Sequence, residues 1–135
     1  MPQPPSAAQN RTQTAAQLSP PLIKRLLYLS DATHPQLDVY DYRTKVQIGT
    51  VTGVPSPYGE CVDGKGDVYV AEFGGGVLEF AHGGSKPIAQ FTTDGYTMGC
   101  SVSKKGDLAA GIFDSPSGGQ GDIEVFPHGG GAVKR

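Results

Sequence analysis

Large apolar residues in this chain come in short clusters, Leu27-Tyr28-Leu29, Val68-Tyr69-Val70 and Val77-Leu78-Glu79-Phe80 among them, with Gly, Asp or Ser close on either side. Runs of this length, rich in Val, Tyr and Phe and bounded by turn formers, read as strands joined by tight turns. The 20 glycines and 11 prolines in 135 residues would suit either disorder or repetitive turns. The regular clusters decide for a folded, all-β chain. Residues 1–20 stand apart: rich in Pro, Gln, Ala, Ser and Thr, they cannot repay the entropy of ordering and are expected to form a disordered tail. The folded part is expected over 21–135.

The clusters repeat. Gly59, Val62, Gly66 and Asp67 recur 40 positions later as Gly99, Val102, Gly106 and Asp107, and Leu27-Tyr28-Leu29-Ser30-Asp31 answers to Val68-Tyr69-Val70-Ala71-Glu72. Tyr40 recurs as Phe80, and Phe80 recurs 46 positions on as Phe126, because Ser115-Pro116-Ser117-Gly118-Gly119-Gln120-Gly121 lengthens one loop. So many landmarks shifting together mark an internal repeat.

The middle copy predicts strands over 59–63, 67–72, 76–81 and 87–92, with turns at Asp63-Gly64-Lys65-Gly66, Phe73-Gly74-Gly75 and His82-Gly83-Gly84-Ser85. Glycines there permit the positive φ of tight hairpins. A four-stranded meander of this length is the blade of a β-propeller. The first copy (blade 26–51) supplies strands near 26–31, 37–42 and 45–51 and lacks an innermost strand. The third (blade 98–127) supplies 98–103, 107–112 and 122–127 and lacks an outermost one; the middle blade runs 59–92. About ten strands make an incomplete ring, since propellers close with typically four to eight blades. The blade faces at the two ends would expose apolar surface, so self-association or further blades are expected to complete the ring.

Pro57-Tyr58-Gly59-Glu60-Cys61-Val62-Asp63-Gly64-Lys65-Gly66-Asp67-Val68-Tyr69-Val70-Ala71-Glu72, followed by Gly76-Val77-Leu78-Glu79-Phe80, resembles the NHL repeat, whose pattern runs Pro, any residue, Gly, an apolar pair, Val-Asp, a Gly turn, Leu-Tyr-Val-Ala-Asp and an apolar strand ending in Phe. The resemblance is good over the middle copy and partial elsewhere, covering 26–128. It extends to the six-bladed group that includes the gluconolactonase and senescence-marker (SMP-30-like) proteins, and to bacterial proteins carrying such repeats. It implies a propeller; one architecture hosts many activities, so it does not imply a function.

In physical terms, Gly59 and Gly99 are expected where backbones crowd near the axis, and Val62, Tyr69, Val70, Leu78 and Phe80 are expected to pack blade against blade. Asp63 and Asp67 are expected to hold their hairpin by local hydrogen bonds. With Lys65 they fall short of a calcium loop, because the further oxygen ligands and the bidentate Glu are missing.

Charge narrows the partners. The formal net charge is −2, with no run of like charge beyond Lys24-Arg25 and Lys104-Lys105, so the clustered cations of a nucleic-acid binder are lacking. No stretch approaches the roughly 20 apolar residues of a membrane span. The first residues lack the apolar core of a secretion signal, which leaves the compartment open, export included. Asn10-Arg11-Thr12 fits a glycosylation acceptor, a pattern too short to carry weight. Cys61 and Cys100 are too few for a disulfide framework; the leading reading is two small buried hydrophobes, with a single disulfide as the alternative.

The links that enter the inner strands and the turns between second and third strands share one face and ring the mouth of the channel, the concave place ligands favour. Tyr58, Glu60, Tyr96, Met98 and His34 are the ligand-binding candidates there. Lactonases of the resembled group bind a divalent metal at this mouth through Glu, Asn or Asp residues just before the inner-strand Gly. Tyr58 and Met98 stand at those positions, and Glu60 is a lone carboxylate, so no metal and no cofactor is expected from these residues. His82 and His128, at equivalent positions, read as solvated turn residues on the outer rim. No Gly-x-Ser-x-Gly elbow or phosphate loop occurs. No catalytic residues are assigned, and the expectation leans away from an enzyme. It favours a binding scaffold for a protein, peptide or glycan, with a gluconolactonase-like hydrolase completed by other blades as the alternative. The mouth loops contain no Lys or Arg, which counts against RNA.

Overall fold

The computed structural model describes residues 25–115 and 120–128; the expected tail over 1–20, the Asn10 tripeptide and the centre of the lengthened loop lie outside them. The described chain is all β and consists of ten strands: β1 (Leu26–Asp31), β2 (Gln36–Asp41), β3 (Gln47–Thr52), β4 (Pro57–Val62), β5 (Val68–Glu72), β6 (Gly76–Phe80), β7 (Pro87–Phe91), β8 (Thr97–Val102), β9 (Leu108–Ile112) and β10 (Asp122–Phe126). They form three antiparallel meanders, β1-β2-β3, β4-β5-β6-β7 and β8-β9-β10. These are propeller blades in an incomplete ring, one complete and two of three strands.

Strand alternation divides each blade into a face toward the preceding blade and a face toward the next one. Val68, Val70, Leu78 and Phe80 meet Leu37, Val39, Val51 and Val54 of the first blade in one buried cluster. Tyr69 and Val77, on the opposite face, meet Leu108 and Ala110 of the third, with Phe91 and Phe126 alongside. Among the described residues the end faces lack such cover. Leu27 and Leu29 are 38% and 53% exposed, whereas their counterparts Val68 and Val70 are fully buried. At the other end Ile123 is 59% exposed against 0% for Val77.

Two expectations fail for the same reason. Val62 does not pack between blades and is 57% exposed. It pairs with Val68 and so faces the first blade, where the described residues hold no inner strand; its counterpart Val102 packs against the Tyr69, Val77, Leu108 and Ala110 cluster between the second and third blades. Gly59 does mark a crowded approach, since a Cβ there would lie 2.6 Å from Met98 O and 3.0 Å from Gly99 Cα. Gly99 does not, having nothing within 4 Å of such a Cβ, because no described blade follows.

The leading expectation for the cysteines is corrected: Cys61 and Cys100 form a disulfide, with Cα atoms 5.6 Å apart, joining β4 to β8 across the blade boundary. Their separation of 39 is one short of the repeat. That single-residue offset puts one side chain on the forward face of its blade and the other on the rearward face of the next.

Turns fall on two rims. On the lower rim Asp63 Oδ1 accepts hydrogen bonds from Lys65 N (2.8 Å) and Asp67 N (3.0 Å), as expected. In the third blade Ser103 Oγ takes the same role toward Lys105 N and Asp107 N. Asp67 and Asp107 reach further, each accepting from a histidine backbone N–H, His82 and His128, at 2.9 Å. The bond from His128 N–H holds the Asp107 carboxyl below its ordinary range. The two histidines therefore differ: His82 is half-buried and His128 is exposed as expected, while both rings lie over the hairpin glycines. A Cβ on Gly66 (φ +90°) or Gly106 (φ +89°) would sit 3.1 or 2.7 Å from the imidazole Nδ1.

Candidate functional site: an aromatic ladder on the upper rim

The upper rim carries the β1–β2, β5–β6 and β9–β10 turns together with the links into β4 and β8. Phe73, at the start of the β5–β6 turn, donates its N–H to Ser56 O (2.9 Å), and Gly74 N–H donates to Ser56 Oγ (3.1 Å). These bonds tie the turn to the link of its own blade. Forty residues on, the pair recurs as Phe113 N–H donating to Tyr96 O (2.8 Å), and Tyr96 N–H donates to Asp114 O (3.1 Å). Gly76 N–H donates to Thr97 Oγ1 (3.2 Å), stitching the second blade to the third.

This bonding stacks three rings. Phe73 lies between Tyr58, 5.1 Å away at 26°, and Tyr96, 4.6 Å away at 12°. The ladder thus spans two blades, and its outer members stay open to solvent, Tyr58 at 41% and Tyr96 at 47%. Offset stacking of this kind is favourable beyond area burial, which fixes the rings before any partner arrives. Phe113 continues the pattern one blade on and is 66% exposed.

Of the sequence candidates, Tyr58 and Tyr96 are thereby brought together. Met98 is exposed beside Gly59, at the position in its blade that Tyr58 holds in the second. Glu60 faces the first blade and accepts a 2.5 Å hydrogen bond from Ser30 Oγ. His34 sits in the β1–β2 turn, its Nδ1 3.0 Å from Asp31 Oδ2, and the hydrogen bonds from His34 hold the Asp31 carboxyl below its usual value. Phe73, which joins the two tyrosines, is not among the sequence candidates. Its signal was the repeat itself, since Phe73 and Phe113 are bulky apolar residues at equivalent turn positions.

Beside Tyr96 an open cavity of about 620 Å³ is lined by Asp94, Asp114, Thr93, Ser115 and the glycines of the adjoining turns. Gly95 is required there: at φ +145°, a Cβ would meet Asp114 O at 2.4 Å. Next to Phe73, Glu72 keeps a buried Oε1 without a hydrogen-bond partner among the described residues. Burial pushes its carboxyl up, partly offset by a hydrogen bond from the Ser56 backbone. Among the described residues no three His, Cys, Asp or Glu side chains converge closely enough to hold a metal ion.

A second groove, about 700 Å³, lies between the lower rims of the second and third blades, edged by Lys65, Lys104 and Lys105 over Tyr69, Phe91 and Phe126. Its lining is engaged in holding the fold. Tyr69 donates its hydroxyl to Glu79 (2.9 Å), Phe126 meets Phe91 edge to face at 5.3 Å, and Asp63, Ser103 and His128 hold the hairpins.

No protein-family model matches the sequence, and no curated protein matches it. Solved structures do resemble the fold. Hydrazine synthase of Kuenenia stuttgartiensis matches with a TM-score of 0.66 and 18% identity over 77% of this chain and 30% of that one. Sqt1 of Saccharomyces cerevisiae gives 0.66 and 11% over 84% and 30%. The Cps50 (Swd1) β-propeller domain of Myceliophteria thermophila gives 0.57 and 10% over 84% and 40%. The chain therefore spans less than half the length of each, and the likeness establishes the propeller fold alone.

Proposed function

We propose that the chain is a section of a non-catalytic propeller scaffold that holds a protein, peptide or glycan partner against its upper rim. The observation that carries this reading is the Tyr58–Phe73–Tyr96 ladder, a pre-stacked aromatic surface built from two blades and left open to solvent. Rigid aromatic side chains offer large contact area at low entropic cost and dominate binding surfaces. Kinship with NHL and gluconolactonase-like repeats is part of the proposal and rests on the Pro57–Phe80 motif. So is an oxidising compartment, where a bond such as Cys61–Cys100 persists.

Metal analysis of the purified chain, combined with a lactone-hydrolysis assay, tests the non-catalytic reading. The expected result is no stoichiometric divalent ion and no turnover; a tightly held ion together with hydrolysis would overturn it. In the same proposal the open faces bearing Leu27 and Leu29 at one end and Ile123 at the other take further blades or a second copy. A solution mass above 14.1 kDa is expected for the isolated chain, and a cooperatively unfolding monomer of that mass contradicts the idea.

A further inference from the structure

Positive charge is confined to one rim among the described residues. The described basic residues, Arg25, Arg43, Lys45, Lys65, Lys86 and the Lys104-Lys105 pair, all lie in the lower turns or at the lower strand ends. The upper rim carries Asp31, Glu72, Asp94, Asp114 and Asp122 and no Lys or Arg among the described residues. Its imidazole, His34, already faces Asp31 at 3.0 Å. A wall of one sign around a concave site concentrates ligands of the opposite sign.

We infer that the upper-rim cavity takes the cationic side chain of a partner peptide, an arginine or a lysine, seated between the Tyr96 ring and the Asp94 and Asp114 carboxylates. This rests on the scaffold reading above and names its ligand class. Three observations converge on it. The cavity holds both aspartates and Tyr96 together. Its volume of about 620 Å³ lies in the range of roughly 300–1,000 Å³ that small-ligand sites occupy. The ring is held by Phe73 at 4.6 Å and remains 47% exposed, and aromatic faces attract guanidinium and ammonium groups. A neutral glycan would use the rings but would have no call for a rim cleared of cations. A bare divalent ion lacks three converging side-chain ligands among the described residues.

The test is a titration of the purified chain with blocked tetrapeptides, followed by the aromatic ring NMR signals, with Phe73 as the reporter in the Tyr96 variants. One peptide carries two central arginines, one carries citrullines in their place and one carries glutamates; cellotetraose and calcium chloride are run beside them. The arginine peptide is expected to shift the Tyr96 signals with an affinity at least roughly tenfold above the citrulline peptide. That affinity should fall as salt rises. Asp94→Asn with Asp114→Asn should remove most of the preference, Tyr96→Leu should weaken binding, and Lys104→Ala with Lys105→Ala on the lower rim should leave it unchanged. Each variant is checked for unaltered thermal unfolding, and Tyr96→Phe, which keeps the ring, should bind like the parent. Equal binding of arginine and citrulline peptides, or preference for the glutamate peptide or cellotetraose, would overturn the cationic ligand while leaving the scaffold reading standing. Silence toward every probe, or calcium alone moving the same signals, also overturns it. The scaffold reading falls only on the separate finding of metal-dependent hydrolysis.

Discussion

The two blade boundaries are built differently. Between the first and second blades, aliphatic side chains do the work: Leu37, Val39, Val51, Val54, Val68, Val70 and Phe80 are all fully buried, and burying such a side chain contributes roughly 1.5–3 kcal/mol. Ser30 to Glu60 and Gly83 N–H to the Tyr28 hydroxyl at 2.9 Å add polar links. Between the second and third blades, the positions matching Val68 and Val70 hold Leu108 and Ala110, a smaller set. There the cross-link Cys61–Cys100 and the rings of Tyr69, Phe91 and Phe126 make up the difference. One repeat can thus be joined to its neighbour either by apolar volume or by a covalent staple with less of it. The choice lies in a few substituted positions.

The contrast can be broken most forcefully from the apolar side. Phe80→Ala is expected to cost roughly 3–5 kcal/mol by denaturant unfolding, equally with and without reductant. Replacing both cysteines by serine, or reducing the bond, should cost at most about 4 kcal/mol, the loop-closure value for a separation of 39. The two losses should be nearly additive because they act at different boundaries; strong coupling between them would show the boundaries to be one cooperative unit.

A smaller effect separates the two inner glycines. Gly59→Ala forces β4 away from the backbone of β8 and should cost roughly 1–3 kcal/mol, while Gly99→Ala, which meets nothing within 4 Å among the described residues, should be close to neutral. Should the isolated chain associate through its third blade, Gly99→Ala would become costly as well, so equilibrium unfolding at low and high protein concentration reads out both points.

The smallest effect is the pH dependence of Glu72. Its folded pKa is raised by burial, so its neutral form favours the fold below the unfolded pKa, and that contribution is lost as pH rises through the folded pKa. The melting temperature of the parent relative to Glu72→Gln should therefore decline from acid to neutral pH. Asp31, Asp41 and Asp107, whose carboxyls are held low by backbone hydrogen bonds, contribute with the opposite sign: their share is present above the unfolded pKa and lost as pH falls. They are common to both proteins and cancel in the comparison. A difference that grows toward neutral pH in favour of the parent would refute the assignment.

Much of the fold was legible because strand and turn signals are local. All ten strands lie within two residues of their expected starts, and the Asp63 hairpin bonds follow from Asx chemistry confined to five residues. The candidate site was legible only in part. Tyr58 and Tyr96 could be placed on one rim by counting strands, yet the ring that joins them, Phe73, belongs to a different turn and meets Tyr96 only across a blade boundary. Glu60 lies in the inner strand β4, and only the packing of blade on blade brings its carboxylate to Ser30 Oγ.

What the amino-acid order determined alone is the repeat, the strand and turn within each repeat, and the incomplete ring, since these depend on residues a few positions apart and on counting. The tertiary structure decided whatever depends on which face of one blade meets which face of the next. That covers the disulfide, the exposure of Val62, the crowding at Gly59 but not at Gly99, the histidines over the hairpin glycines and the three stacked rings. The physical reason is that alternation has a period of two whereas the blades repeat every 40 or 46 residues. A shift of one residue therefore leaves the pattern of strands untouched and reverses every contact between blades.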